Sequence, residues 1–307
     1  MGEVLTGTAS WTDRTLLESG WYPTEANNAE RRLKYYAEHF PLVEVDSTYY
    51  GMPSEQTAML WAERTPAHFT FDMKGFRLFT GHPTGVDKLP VDIRKELPAD
   101  LRTKKSVYDK DLPPAVLDHV WEMYLSALKP LKDTGKLGAI FLQYPKWFYF
   151  GRDNMGRIEK AVERLRGYQI AVEFRTPSWM NERNAPKTLD FLRKNGIAYT
   201  SVDGPQGTQA SVPPIAATTT PNLAVVRFHG RRVETWDQKD VGVLERFRYL
   251  YQDEELSEWV PKIRQLQEET RKVHVLMNNC YADYGVRNAA QLEQLLQQNG
   301  IQLATSA

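Results

Sequence analysis

The stretch "VEVDSTYYG", residues 43–51, has the apolar content of a core strand yet carries two carboxylates, Glu44 and Asp46. Side chains alternate across a strand, so these two acids share one face and Val43, Val45 and Ser47 take the other. Runs of similar length recur along the chain. The first is "VLTGTASW" (4–11), the third "HFTFDMKGF" (68–76) and the fourth "KLGAIFLQYP" (136–145). Then come "YQIAVEFR" (168–175), "IAYTSVDG" (197–204), "NLAVVRFHG" (222–230) and "VHVLMNNC" (273–280). Amphipathic stretches alternate with them, among them "NNAERRLKYYAEHF" (27–40), with Ser54 a candidate N-cap ahead of 55–65 and a glycine stop at Gly196. Eight strands alternating with helices spell an α/β protein, a (β/α)8 TIM barrel over residues 1–307 as one domain. The sixth helix is missing, replaced by a Pro/Thr-rich loop at 205–221, and insertions at 77–113 and 231–256 follow strands, on the C-terminal face.

A barrel strand turns one face to the helices, and that face must be apolar. Val43 and Val45 then point outward and Glu44 and Asp46 into the barrel. The same rule puts Asp72 and Lys74 inside, with Glu173 and Arg175, and Arg227 and His229. Thr8, Ser10, Gln143, Asp203 and Asn278 join them on weaker alternation. Barrel interiors are ordinarily filled by Val, Ile and Leu, and a lone buried charge costs several kcal/mol. So many inward charges at the strand ends point to a polar site at the mouth, although the deeper ones, Glu44 and Asp72, also fit a purely structural ion network.

Composition narrows the classes. Thirty-nine basic residues balance thirty-nine acidic ones, which argues against duplex nucleic acid as a partner. The insertion 77–113 has only a slight basic excess and reads as a solvated lid. No apolar run is long enough to span a membrane, the start lacks a secretory pattern, and the single Cys280 suits a reducing cytoplasm. Cys280 is expected to pack beneath the helices, and nothing in the chain indicates an oligomeric state.

The strand-end motifs "GTASW", "FPLVEVDSTYYGMPS", "FTFDMKGF", "GAIFLQYP", "VEFRTPSW", "VVRFHG" and "MNNCYADYGVRNA" together resemble the YecE-like proteins, domain of unknown function family 72, over about residues 4–300. The resemblance implies a TIM barrel distantly similar in fold to the xylose isomerase and endonuclease IV group, and it points to a site without naming a reaction. The family's "EINSTFY" reads Glu44-Val45-Asp46-Ser47-Thr48-Tyr49-Tyr50 here, with Asp46 where Asn is common. Its "EFRHPSW" reads Glu173-Phe174-Arg175-Thr176-Pro177-Ser178-Trp179, without the histidine. Six histidines in all make a trinuclear zinc cluster of the endonuclease kind improbable.

These residues suggest an enzyme of the hydrolase or isomerase class acting on a small anionic or sugar-like substrate. Asp46, Glu173, Asp203 and His229 are the candidate general acids and bases, their pKa values moved apart by crowding and by the arginines. Lys74, Arg175 and Arg227 would clamp a phosphate or carboxylate. Ser10, Trp11, Tyr49, Gln143, Trp179 and Asn278 complete the binding set, with the rings stacking on a sugar or base. A divalent metal is an alternative use of Asp46, Glu173 and His229. The competing class is a non-catalytic module that binds a small ligand or single-stranded nucleic acid in the same pocket.

Overall fold

Each of the eight apolar runs is a strand in the computed structural model, which describes residues 1–238 and 240–304. Lys239, inside the second insertion, and positions 305–307 lie outside the described residues. The strands are β1 (Glu3–Thr8), β2 (Leu42–Val45), β3 (Thr70–Lys74), β4 (Leu137–Gln143), β5 (Gln169–Glu173), β6 (Ala198–Asp203), β7 (Leu223–Phe228) and β8 (Lys272–Met277). They close in the order β1-β8-β7-β6-β5-β4-β3-β2, every pair parallel. The fold is a TIM barrel. Closure requires β1 and β2 to approach closely, and Gly7 permits it: a Cβ there would fall 1.9 Å from the Leu42 carbonyl oxygen.

Helices form where capping and amphipathicity coincide. Asn28 accepts a hydrogen bond from the Arg31 amide at the start of Ala29–His39, and Ser54 accepts one from the Thr57 amide at the start of Glu55–Glu63. Helix Ala185–Lys194 stops just before Gly196, whose φ of 67° turns the chain into β6. Residues 205–221 carry no helix, as the Pro/Thr-rich sequence leads one to expect. The first insertion contains a small antiparallel ribbon, Thr84–Gly85 against Ser106–Val107. Among the described residues no helix is long and apolar enough to cross a membrane.

Inside the barrel an apolar floor of Leu5, Leu42, Ala139, Phe141, Ala171, Leu223 and Leu276 lies below the charged residues. Alternation placed β2, β3, β4, β5, β7 and β8 correctly but failed in β1 and β6. In β1, Val4 packs into the outer core and Leu5 into the inner one, so Thr6 and Thr8 face the helices. The Thr6 hydroxyl bonds Glu293 and Thr8 bonds the Tyr36 hydroxyl at 2.9 Å, both on surrounding helices. In β6, Tyr199 lies in the outer core and Ser201 reaches the Ala217 amide in the 205–221 loop, so Asp203 also points outward. A polar outward face is stable wherever the helix layer supplies partners, and alternation in one strand carries no sign of that.

The run 42–50 is also shorter as a strand than it reads. It ends at Val45 and turns through a 3₁₀ turn, Asp46–Tyr49, because the Thr48 hydroxyl bonds the carbonyls of Val45 (2.8 Å) and Lys74 (2.5 Å). Asp46 therefore sits just past the strand, at the mouth.

Candidate active site at the barrel mouth

The charged layer over the apolar floor is a closed network. Glu44 and Glu173 are fully buried, and Arg227 lies between them, 2.8 Å from Glu44 and in direct contact with Glu173. Its guanidinium rests 5.6 Å over the Phe141 ring. Glu173 also pairs with Arg175 Nε at 2.5 Å and with His229 Nε2 at 3.1 Å. Burial alone would raise the Glu173 carboxyl, but Arg175, Arg227 and His229 outweigh it and hold the group well below the usual range. Burial and the neighbouring Arg175 push His229 down to about 3, so its ring is neutral at neutral pH. Asn278 Nδ2 lies 2.7 Å from His229 Nδ1 and donates to it, which leaves the proton on Nε2, donated to Glu173. Both ring nitrogens are thus occupied.

Deeper in the barrel, Asp72 accepts from the Ala139 amide at 2.6 Å and pairs with His274 at 2.8 Å. The inward placement of Asp72 follows from the sequence, and its histidine partner does not.

Above the network opens a cavity of about 410 Å³. Asp46, Lys74, Arg175, Gln143, Tyr49 and Asn278 line it, so six of the candidate residues converge. Asp13 and Cys280 line it too, and sequence reasoning missed both. Burial lifts Asp46 to about 7, against the pull of Lys74 and with help from Asp13 and Glu44. Burial lifts Asp13 to about 6, opposed by hydrogen bonds from the Cys280 thiol and the Ser10 hydroxyl. Two carboxyls of the pocket therefore titrate near neutrality. Arg175 lies 5.4 Å over the Trp236 ring and within 3.4 Å of the Gln143 oxygen. The second insertion thus supplies part of the roof, with Phe247 beside Trp236, and the first insertion contributes His82, packed edge-on 5.3 Å from Tyr49.

Other expected residues lie elsewhere. Asp203 is absent from the cavity wall: its carboxylate takes Arg231 at 2.7 Å, the Tyr251 hydroxyl at 2.7 Å and Trp259 Nε1 at 2.7 Å. That saturated acid fastens the second insertion to β6. Arg227 is sealed within the ion network and does not reach the cavity, nor do Glu173 and His229 line it. Trp11 packs edge-on against Trp61 at 5.7 Å, and Trp179 stacks on Phe174 at 4.2 Å, both as core. Ser10 stands behind Asp13 and does not face the cavity. Cys280, expected under the helices, is in the pocket wall. Asp46, Glu173 and His229 do not form a metal cradle: Glu173 is held by two guanidiniums, and among the described residues no group of three or more His, Cys, Asp or Glu is placed to hold an ion. Asp13 and Cys280 lie just past β1 and β8. Treating every residue of the first few positions after a barrel strand as a candidate would have found them.

A closed parallel (β/α)8 barrel with a charged pocket at the strand ends defines the class: a TIM-barrel protein. Within that class the chain belongs to the family described as "Protein of unknown function DUF72", whose model matches residues 5–307. It is 27% identical to the UPF0759 protein YunF of Bacillus subtilis (strain 168) over 293 residues, covering 94% of this chain and 93% of that one. Among solved structures, a DUF72 family protein of Thermotoga maritima MSB8 is 29% identical, with a TM-score of 0.73, and covers 96% of this chain and 99% of its own. Another DUF72 family protein, from Enterococcus faecalis V583, is 26% identical with a TM-score of 0.76, over 96% and 95% of the two chains.

Proposed function

We propose that the mouth pocket is the active site of an acid–base enzyme, a hydrolase or isomerase, acting on a small anionic, sugar-like substrate. One observation carries the reading: two pocket carboxyls, Asp13 and Asp46, are poised at about 6 and about 7 in a cavity whose wall also holds the Arg175 guanidinium. Proton transfer is most effective when the catalytic pKa lies near the working pH. Arg175 supplies the attraction for a phosphate or carboxylate, while the Tyr49 and Trp236 rings add apolar wall for the carbon skeleton. A cavity of about 410 Å³ suits a molecule of metabolite size. Glu173 and His229 act indirectly here, by fixing Arg175 and Asn278. Asp46 is the acid–base catalyst, and Asp13, whose charge helps to lift it, is the second carboxyl of the pocket.

The test is a screen of phosphorylated sugars, sugar acids and aryl glycosides, run on the wild type and on Asp46→Asn. Turnover should drop roughly 10²–10⁴-fold in the variant, the usual contribution of a positioned acid or base, with binding retained. The wild-type rate should follow an apparent pKa in the range of about 6 to 7 that the variant loses. Unchanged turnover in Asp46→Asn would refute the assignment. A second reading draws on the exposed rim: Trp147 and Tyr50 are each 50% exposed, an open aromatic edge suited to stacking a ligand without reaction. Calorimetric binding of a ligand that is never transformed, weakened by Trp147→Ala, would favour that binding module.

A further inference from the structure

The charges around the pocket are unevenly matched. Glu44 and Glu173 are balanced by Arg227 and Arg175, two carboxylates against two guanidiniums, and His229 is neutral. Lys74 is left over. No carboxylate of the described residues lies within 4.0 Å of its Nζ, whereas Arg175 holds one and Arg227 two. Its amine instead lies 5.0 Å over the Tyr49 ring, in the cavity wall beside Asp46. Its main chain is fixed: the Lys74 carbonyl accepts from the Thr48 hydroxyl at 2.5 Å and from the Tyr124 hydroxyl at 3.1 Å. A stem anchored at a strand end, carrying an amine in the cavity wall with no carboxylate within salt-bridge distance, is the arrangement of a nucleophile more than of a salt-bridge partner. Burial favours the neutral amine, Arg227 adds to that, and Glu44, Asp46 and Glu173 oppose it.

We propose that Lys74 is a covalent catalyst that forms an imine with an aldehyde or ketone substrate bearing a phosphate or carboxylate. This inference rests on the acid–base reading of the same pocket and names its substrate class. In the step, the Lys74 amine attacks the carbonyl carbon, forming a C–N bond, and the carbonyl π pair moves to oxygen, which takes a proton from the Asp46 carboxyl. The nitrogen of the resulting carbinolamine returns a proton to Asp46. Asp46 then protonates the hydroxyl group, water leaves as the nitrogen lone pair closes the C=N bond, and the iminium N–H proton returns to Asp46 to give the neutral imine. One carbonyl and one amine give one imine and one water, with no change of oxidation state. Arg175 holds the anionic end, so the carbonyl is presented to Nζ while Asp46 passes protons on the other side. The imine makes the adjacent C–H or C–C bond labile, a chemistry that fits isomerisation.

The experiment is reductive trapping. The intact protein is incubated at pH 7 with a limiting amount of glyceraldehyde 3-phosphate or glyoxylate, plus sodium cyanoborohydride. Adducts are counted by intact mass and located by peptide mapping. The expected result is a single adduct on Lys74, formed at least tenfold faster than on any surface lysine and slowed by inorganic phosphate. Lys74→Met and Lys74→Arg should take up no label at that rate, with folding checked by thermal melting. Because the rate contrast is measured within the wild type, a variant that fails to fold does not remove the test. Label spread evenly over surface lysines overturns the proposal, as does equal labelling of Lys74→Arg. Such a failure is separate from failure of the acid–base reading, which depends on turnover in Asp46→Asn and not on trapping.

Discussion

Glu44, Glu173, Arg175 and Arg227 are interlocked beneath the pocket, each acid held by a guanidinium, whereas Asp13, Asp46 and Lys74 stand at neighbouring strand ends without such partners. The same residue types do opposite things in the two layers. In the lower one, pairing outweighs burial and Glu173 stays ionised far into acid. In the upper one burial wins, and two carboxyls are lifted toward neutrality. Pairing makes a charge part of the scaffold, and withholding a partner keeps it available for chemistry. The lower layer also orients the upper: Arg175 belongs to both, bound to Glu173 at one end and facing the cavity at the other.

The largest effect expected from this contrast is on Arg227→Met. Removing the shared guanidinium strands Glu44 and half of Glu173 in the barrel, and breaking a buried pair in this way costs about 3–5 kcal/mol. Urea denaturation should show it as a lowered midpoint. A loss under about 1 kcal/mol would mean that the network is not the scaffold described.

Asp46→Asn should do the reverse, in a pH-dependent way. Below the open-chain value of 3.8 the carboxyl is protonated whether the chain is folded or not. Between 3.8 and about 7 the folded chain keeps a proton that the unfolded chain has lost, so wild-type stability falls as pH rises through that window. Asn removes this linkage. The stability of Asp46→Asn relative to wild type should therefore grow from pH 4 to pH 8, by about 2 kcal/mol once partial exposure of the site is allowed for. A difference that is flat with pH would show that Asp46 is an ordinary carboxylate and erase the contrast between the layers.

Trp147→Ala sharpens the comparison at its outer edge. The ring is 50% exposed, so stability should change by no more than about 0.5 kcal/mol. Where the rim contacts a substrate, KM should rise severalfold with kcat unchanged, the signature of uniform binding lost.

Strand parity was legible wherever Val, Phe and Met marked the outward face, which covers Glu44, Lys74, Glu173, Arg175, Arg227 and Asn278. It misled at Thr8 and Asp203. Their outward positions are paid for by Tyr36, Tyr251 and Trp259, residues 28 to 56 positions away that no local pattern announces. Trp11 and Trp179 belong to strand-end motifs yet are core, because neighbouring rings enclose them. Trp236 and Phe247 were invisible as site residues because the insertion that carries them has no strand register to place it.

The sequence by itself determined the barrel, since the alternation of short apolar runs with amphipathic helices leaves few other ways to bury both. It also determined which strands present charge to the interior, because a pleated strand permits only two faces. Which of those charges are neutralised was decided only when eight strands closed into a ring. Closure sets Arg227 against Glu44, 183 residues away, and leaves Lys74 without a counter-ion beside Asp46. Pairing at a few ångströms depends on tertiary distance, and chain separation carries almost none of that information.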